Sequence, residues 1–344
     1  MILDELRHPI VQAPMAGGAS TPALAAAVSN AGGLGFLAAG YLIPRDVRAQ
    51  IHATRELTDK PFGINIFVPD TSTVDGAELA RYRDRLVAEA ARYGVKLGDA
   101  VDEDDGWIGK LAVVREERVP VVSFTFGCPD SFVISELQDA GSTVVVTVTS
   151  AMEASKAAAA GADALCVQGA EAGAHRGTFR NADPLDDTAL LPLLHKVSAA
   201  VDVPLIATGG LSSGADVAAV LVAGAAAAQL GTMFLLCLEA GTNPLHRDAL
   251  ARAGRTAVTR AFTGRPARGL VNRFLKDHSD EAPAAYPHVH HMTANLRRAG
   301  DPEAMSLWAG QAHEFAQEVP AGELVTTLAA DARTAIARAA RRFS

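Results

Sequence analysis

The chain has 344 residues, 49% hydrophobic and 20% charged, with a formal net charge of −8. That is enough apolar material for a large core, and a net acidic chain is a poor partner for nucleic acid or an anionic membrane surface. Three widely spaced cysteines, Cys128, Cys166 and Cys237, suggest neither a disulfide framework nor a CxxC metal site.

The N-terminal stretch MILDELRHPIVQAPM brings Asp and Glu at once and no apolar leader. No uninterrupted apolar run is long enough to span a membrane, so a cytoplasmic location is expected. Pro9 to Met15 reads as a strand running into a loop. TPALAAAVSNAGG reads as a helix, with Thr21 as its cap, Pro22 in its first turn and Gly32 and Gly33 at its end. LGFLAAG is a second strand, PRDVRAQIHATREL a second helix, and Pro61 to Val68 a third strand. Residues 70–118 are more polar and mostly helical, and read as an insertion. VPVVSFTFG, STVVVTVTS, ALCVQG, VPLIATGG and AAAQLGTMFLL supply strands four to eight, with Ala-rich helical stretches between the later ones.

Eight strand–helix steps up to about residue 236 predict an α/β fold, a (β/α)8 TIM barrel. After residue 237 the pattern breaks into helices and loops with no further strand alternation, and a long helix closes the chain. The expected organisation is a barrel over residues 1–236, carrying the insertion at about 70–118 and completed by a helix at about 318–344. A smaller, mostly helical domain over residues 237–317 is expected to cover the active site.

Barrel active sites form at the C-terminal ends of the strands. That rule collects Gln12 to Met15, Asn65, Gln168 to His175, Gly209, Gly210 and Gln229 to Thr232. Amides, small residues and glycines dominate, and charged pairs are absent. Such a site suits a flat heteroaromatic ligand, because amides both donate and accept, like the edge of a flavin pyrimidine ring. ATGGLSSG and QLGTMF end the seventh and eighth strands, where barrels commonly bind phosphate through backbone N–H groups. GLGFLA at Gly33 to Ala38 imitates a dinucleotide fingerprint, but it follows a helix and precedes a strand, the reverse of that motif's context. It reads as a helix end and a turn.

His175 stands alone in the Gly/Ala loop after the sixth strand. An unperturbed pKa of about 6.5 makes its neutral, proton-accepting form abundant at pH 7. Arg176 reads equally well as a loop organiser or a carboxylate ligand. HVHH at residues 288–291 lacks the carboxylates and spacing of a metal site and reads as a solvated loop. GRPARGLVN, Gly264 to Asn272, reads as a polar loop or as a segment holding the second domain over the barrel mouth. Trp308 reads as core, with a pocket wall as the alternative.

PIVQAPMAGGASTPALAAAVSNAGGLGFLAAGY, GINIF, VQGAEAGAHRG, ATGG, QLGTMF, GRPARGLVN and SLWAGQ occur in that order over nearly the whole chain. Together they resemble the nitronate monooxygenases, once called 2-nitropropane dioxygenases. The resemblance implies an FMN-binding barrel that oxidises alkyl nitronates with O2 to a carbonyl compound and nitrite. It implies that Ala13, Pro14 and Met15 lie along the flavin ring, and that Asn65 and Gln168 bond to ring or ribityl atoms. It implies that Gly173 lines the cofactor, and that Gly209, Gly210, Gln229, Gly231 and Thr232 hold the phosphate end. His175 matches the family's active-site histidine, a base toward neutral nitroalkanes or a stabiliser of a preformed nitronate. The family loop usually reads G-G-H, whereas Ala174 precedes His175 here. The implied partners are a small nitronate and O2, with a homodimer left open. The alternative is a flavin-dependent NAD(P)H reductase of the same fold, acting on enoyl thioesters or quinones.

Overall fold

The barrel strands are short runs buried along nearly their whole length, as expected where one face meets the barrel interior and the other a layer of helices. The computed structural model describes residues 2–252 and 254–342. The chain begins with β1 (Ile10–Gln12), α1 (Pro22–Asn30), β2 (Gly35–Ala38), α2 (Pro44–Leu57) and β3 (Phe62–Phe67). It continues through α3 (Gly76–Arg92), α4 (Trp107–Glu116), β4 (Val121–Thr125), α5 (Ser131–Asp139), β5 (Thr143–Val148), α6 (Ala151–Ala159) and β6 (Ala164–Gln168). Next come β7 (Ala174–His175), α7 (Leu190–Ser198), β8 (Leu205–Thr208), α8 (Gly214–Val222) and β9 (Ala227–Leu230). The remainder holds α9 (Pro244–Leu250), β10 (Thr256–Thr259), β11 (Ala267–Leu270), α10 (Arg273–His278), α11 (His288–Met292), α12 (Ala294–Arg297) and α13 (Ala321–Ala340).

Eight strands pair in the order β1-β9-β8-β6-β5-β4-β3-β2, all parallel. Leu34 closes the ring: its N–H donates to Ile10 O at 2.9 Å, and its carbonyl accepts from Gln12 N at 3.0 Å. The result is a (β/α)8 TIM barrel. Local signals hold where they were specific. Thr21 Oγ1 caps α1 by accepting Leu24 N at 3.0 Å, and Pro22 opens the helix. The dinucleotide mimic is a helix end running into β2. Gly35 has no Cβ there because one would lie 2.0 Å from the Ala25 carbonyl oxygen of α1.

The segment after residue 237, expected to lack strands, contains β10 and β11. Together with β7 they form a three-stranded antiparallel sheet, with Ala267 opposite His175 and Arg268 opposite Ala174. Arg268 within β11 and Arg265 just before it hide that strand from a hydrophobicity reading. Arg265 is fully buried beside it, and Arg268 spends Nε and Nη2 on the Ala170 carbonyl at 3.1 and 2.9 Å.

The stretch 70–118 divides between two environments. α4 packs on α2 and β3 along the barrel wall. α3 instead buries Tyr82, Leu86 and Ala90 against Phe262, Phe274, Val289 and Met292. The closing helix α13 packs on α8 and α1. Residues 1, 253, 343 and 344, which the expected spans include, lie outside the described residues. Among the described residues no helix is long and apolar enough to cross a membrane.

Candidate active site

At the mouth of the barrel the end of β1 is fixed by buried polar contacts. Gln12 Oε1 accepts Phe36 N at 2.9 Å, and its Nε2 donates to Ser20 Oγ at 3.0 Å and to the Ala13 carbonyl. Ser20 Oγ also accepts Met15 N at 2.9 Å. The backbone from Ala13 through Pro14 to Met15 is thereby held at the rim. Gly231 lies next to it: a Cβ there would stand 3.4 Å from Ala13 Cβ and 3.9 Å from Met15 Sδ.

Two further glycines bring backbones close together. A Cβ on Gly173 would stand 2.5 Å from Gly310 N, and Gly310 N donates to Thr232 Oγ1 at 3.0 Å. Gly209, with φ of 121°, lies against Gly169 and Ala172, and Gly210 lies against Glu171. α8 starts four residues beyond Gly210 with Ser213 as its cap, so its N-terminal N–H groups add positive potential near that rim. A cavity of about 490 Å³ borders Gly209 and Gly210, walled by Leu190, Val220, Gln311 and Phe315. The expected cofactor residues on β1, β8, β9 and the β6–β7 loop thus share one backbone-lined rim. Asn65 stands on β3, where its amide nitrogen donates to Ser123 Oγ at 2.9 Å and Thr125 Oγ1 at 3.0 Å. Gln229 donates to Cys166 Sγ at 3.3 Å.

Gln168 is largely occupied by the loop it opens. Its Nε2 donates to the His175 carbonyl at 3.0 Å, and its Oε1 accepts Gly177 N at 2.8 Å and Arg176 Nη1 at 3.3 Å. Arg176 is buried and turned inward. Its Nη1 donates to the carbonyls of Gln168 at 3.0 Å and Gly169 at 2.6 Å, which makes it a loop organiser. Glu153 holds the far side of the loop, accepting Phe179 N at 2.7 Å and Thr149 N at 2.6 Å.

The His175 imidazole bonds through Nε2 to Thr263 Oγ1 at 2.9 Å. It belongs to a closed ring of side chains. His175, Phe126, Phe67, Tyr41, His290 and Tyr286 follow one another at centroid separations of 5.6, 4.4, 5.6, 4.3, 6.1 and 6.0 Å. Trp308 stands 5.5 Å from His175 and 5.5 Å from Phe262, so it packs between the histidine and the cluster around Phe262. The buried Arg265 guanidinium lies 4.0 Å from the centre of the Phe126 ring and 3.5 Å from Asp70 Oδ2. Burial, with Arg265 and Arg297 nearby, pushes the His175 imidazole down to about 3. Burial and Arg297 likewise hold His290 at about 2. Both rings are neutral at pH 7.

HVHH, expected as a solvated loop, is corrected by this arrangement. It forms α11, and His290 stacks on Tyr41 with ring planes 8° apart. The helix turns one face of the four-residue run inward and leaves His291 to pair with Glu103 at 3.0 Å.

A family model described as nitronate monooxygenase matches residues 2–331. The chain belongs to the nitronate monooxygenase family. Curated nitronate monooxygenases from Paraburkholderia phytofirmans and Pseudomonas aeruginosa are 41% and 40% identical to it. Each alignment covers 95% of this chain and 93% or 97% of the relative. A solved structure of nitroalkane oxidase from Streptomyces ansochromogenes is 50% identical with a TM-score of 0.95, covering 98% of this chain and 99% of the other. FabK from Thermotoga maritima is 30% identical with a TM-score of 0.77, covering 100% and 98%. As a nitronate monooxygenase family member, the chain is an oxidoreductase of a flavin-dependent family acting on small molecules.

In this nitronate monooxygenase relative, sequence reasoning missed Ser20, Thr263 and the aromatic partners of His175, and had Arg265 only within the segment Gly264 to Asn272. For three of the rings a positional signal exists. Tyr41 and Phe126 follow barrel strands and Phe67 ends one, so the strand-end rule covers them as well as it covers Asn65. Tyr286 and His290 carry no such signal, because they reach the pocket from outside the barrel.

Proposed function

We propose that the protein binds FMN along the backbone-lined rim and oxidises alkyl nitronates with O2, releasing a carbonyl compound and nitrite. The observation carrying this reading is His175, half-buried, neutral and bonded to Thr263, within a ring of aromatic side chains that adjoins the glycine-lined rim. The rim residues fit a flavin. Ala13, Pro14, Met15 and Gly173 present backbone to a flat ring system. Asn65 keeps its carbonyl oxygen, and Gln168 keeps one N–H, for ring or ribityl atoms. Gly209, Gly210, Gln229, Gly231 and Thr232 would take the phosphate end, where backbone N–H groups and the start of α8 favour an anion. FMN would supply the electron-accepting chemistry and the reaction with O2.

The remaining work falls to the chain's own side chains. Neutral His175 can accept the α-proton of a nitroalkane at whichever ring nitrogen Thr263 leaves free. Arg265 and Arg297, which disfavour a cationic imidazole, also favour a nitronate anion beside it. That anion in turn raises the affinity of His175 for the proton it has taken. A low pKa in the empty pocket therefore supports a base that works once substrate charge develops, rather than a standing cation. Phe126, Tyr286 and Trp308 would keep water from the anion.

The test is nitrite release from ethyl nitronate by the yellow holoenzyme, with one nitrite formed per carbonyl product. The reductase reading has the FabK likeness on its side. It predicts rapid bleaching of the flavin by micromolar NADH or NADPH under anaerobic conditions. Such bleaching, without nitrite release from the nitronate, would replace the first reading with the second.

A further inference from the structure

Lys110 is fully buried, which is rare for lysine unless it is paired. Its Nζ lies 2.6 Å from Asp105 Oδ2. The other carboxylate oxygen, Oδ1, accepts the backbone N–H of Tyr41 at 2.9 Å. Tyr41 has φ of 67°, a left-handed conformation that any residue with a Cβ resists. Asp105 is itself left-handed, at 55°, in the turn that leads through Gly106 into α4. α4 gives this turn a rigid base, since a Cβ on its Gly109 would stand 2.6 Å from Pro44 of α2.

A connected path therefore runs from the barrel wall to the pocket. α4 carries Lys110, Lys110 holds Asp105, and Asp105 holds the N–H of Tyr41. The Tyr41 ring then stacks on His290 at 4.3 Å and meets the edge of Phe67 at 5.6 Å. In the six-membered ring Tyr41 stands three places from His175 in either direction, on the far wall of the pocket. A buried ion pair is a poor device for stability, because an apolar pair of similar size usually does as well. A carboxylate is a good device for fixing one N–H, because a charge-assisted hydrogen bond is short and directional.

We propose that the buried Lys110–Asp105 pair positions Tyr41 in its left-handed conformation and thereby sets the far wall of the substrate pocket. The proposal rests on the reading of that pocket as the substrate site. Neither residue touches the reacting atoms. Loss of the pair widens or distorts the pocket and leaves the chemistry at His175 in place.

Two readouts on the holoenzyme test it: KM and kcat for ethyl nitronate, and the dissociation constant of propionate. The carboxylate of propionate has the shape of a nitro group, and its binding is followed through the visible flavin spectrum. Asp105→Ala removes the acceptor and is expected to raise both KM and the propionate constant at least fivefold, with kcat within twofold. In a Tyr41→Gly background, where the left-handed conformation needs no support, Asp105→Ala is expected to change either constant less than twofold. Full additivity there, or an unchanged KM and propionate constant in Asp105→Ala, overturns the proposal. Should Asp105→Ala fail to fold, Lys110→Met combined with Asp105→Asn removes both charges and keeps an acceptor for Tyr41. Because a neutral amide lacks the charge-assisted bond, a rise of at least twofold in KM and in the propionate constant supports the pair's role, and constants within twofold of the parent overturn it. If the parent releases no nitrite, the functional reading fails, while the propionate constants still decide this proposal.

Discussion

The two halves of the proposed active site are built by opposite means. Around Ala13, Gly173, Gly209, Gly231 and Gly310 the site is made of backbone, and its shape comes from side chains that are missing. Around His175 it is made of large rings packed edge to face or stacked, two of them on residues with left-handed backbone: Tyr41 at 67° and Phe126 at 78°. Each such residue stores about 1–2 kcal/mol of conformational strain. The first half can accept a large rigid ligand without rearrangement. The second is preorganised at a stability cost, which is expected where a small substrate must be held against one base. Under the proposed function this difference is a division of labour, with cofactor affinity in the glycine half and substrate chemistry in the aromatic half.

The largest effect that could break this division is at His175. His175→Ala should lower kcat/KM for a neutral nitroalkane about 10²- to 10⁴-fold, the usual range for loss of a general base. Turnover of a preformed nitronate should fall far less, because no proton has to be removed. The purified variant should stay yellow. Loss of flavin from His175→Ala would show that the two halves are not separable.

Protonation gives the next effect, because the aromatic half is held by neutral histidines. Burial first, and nearby arginines second, lower His175 to about 3 and His290 to about 2; burial also lowers His246 to about 4. In the unfolded chain each would titrate near 6.5. The unfolded state therefore binds more protons at acid pH. The contribution to stability is complete above about pH 6.5 and is lost progressively as the pH falls toward the folded values. Each histidine adds a slope of at most about 1.4 kcal/mol per pH unit in that window. Urea denaturation at pH 7, 6 and 5 should show the decline, and His290→Gln should flatten it. An unchanged slope would remove His290 from the account.

A smaller effect probes the glycine half. Gly173→Ala places a methyl 2.5 Å from Gly310 N and 2.6 Å from the Ala309 carbonyl carbon, both rigid backbone. Overpacking of that kind costs about 1–3 kcal/mol. The ratio of flavin to protein should fall along with melting temperature. A variant that melts earlier but keeps its full flavin would assign Gly173 to loop packing alone.

The two halves also differ in how legible they are in the sequence. The barrel, its rim and His175 can be read directly, because glycine pairs and amides recur at strand ends spaced by a repeating architecture. The (β/α)8 fold follows from local patterns, such as the cap at Thr21 and the buried run of β5. The aromatic half is legible only in part: Tyr41, Phe67 and Phe126 lie at or just beyond the ends of neighbouring barrel strands, whereas Tyr286 and His290 come from a distant segment that no local pattern places there. β11 escapes notice because Arg268 within it is satisfied by a carbonyl and Arg265 beside it by a ring, rather than by alternation with apolar residues. Within the stretch 70–118, the amphipathic α3 joins the cluster around Phe262, whereas α4, with no single apolar face, joins the barrel wall.

The smallest effect lies at the seam between the halves. Ala174 separates Gly173 of the rim from His175 of the ring, and its φ is 61°. The family pattern places glycine here, and the backbone conformation supplies the reason, since glycine occupies this region without steric penalty. Replacing Ala174 by glycine removes a strain of about 1–2 kcal/mol but adds about 0.5–1 kcal/mol of backbone entropy to the unfolded chain. The net expectation for Ala174→Gly is a gain of about 0.5–1 kcal/mol, or roughly 1–2 °C in melting temperature for a chain of this size. The position of His175 should not move, because its carbonyl is held by Gln168 and its neighbour Arg176 N–H by the Pro266 carbonyl at 2.8 Å. Values of kcat/KM within twofold of the parent are therefore expected. A lower melting temperature would mean that the methyl of Ala174 packs usefully enough to outweigh its conformation. A several-fold rise in KM would place that methyl against the substrate.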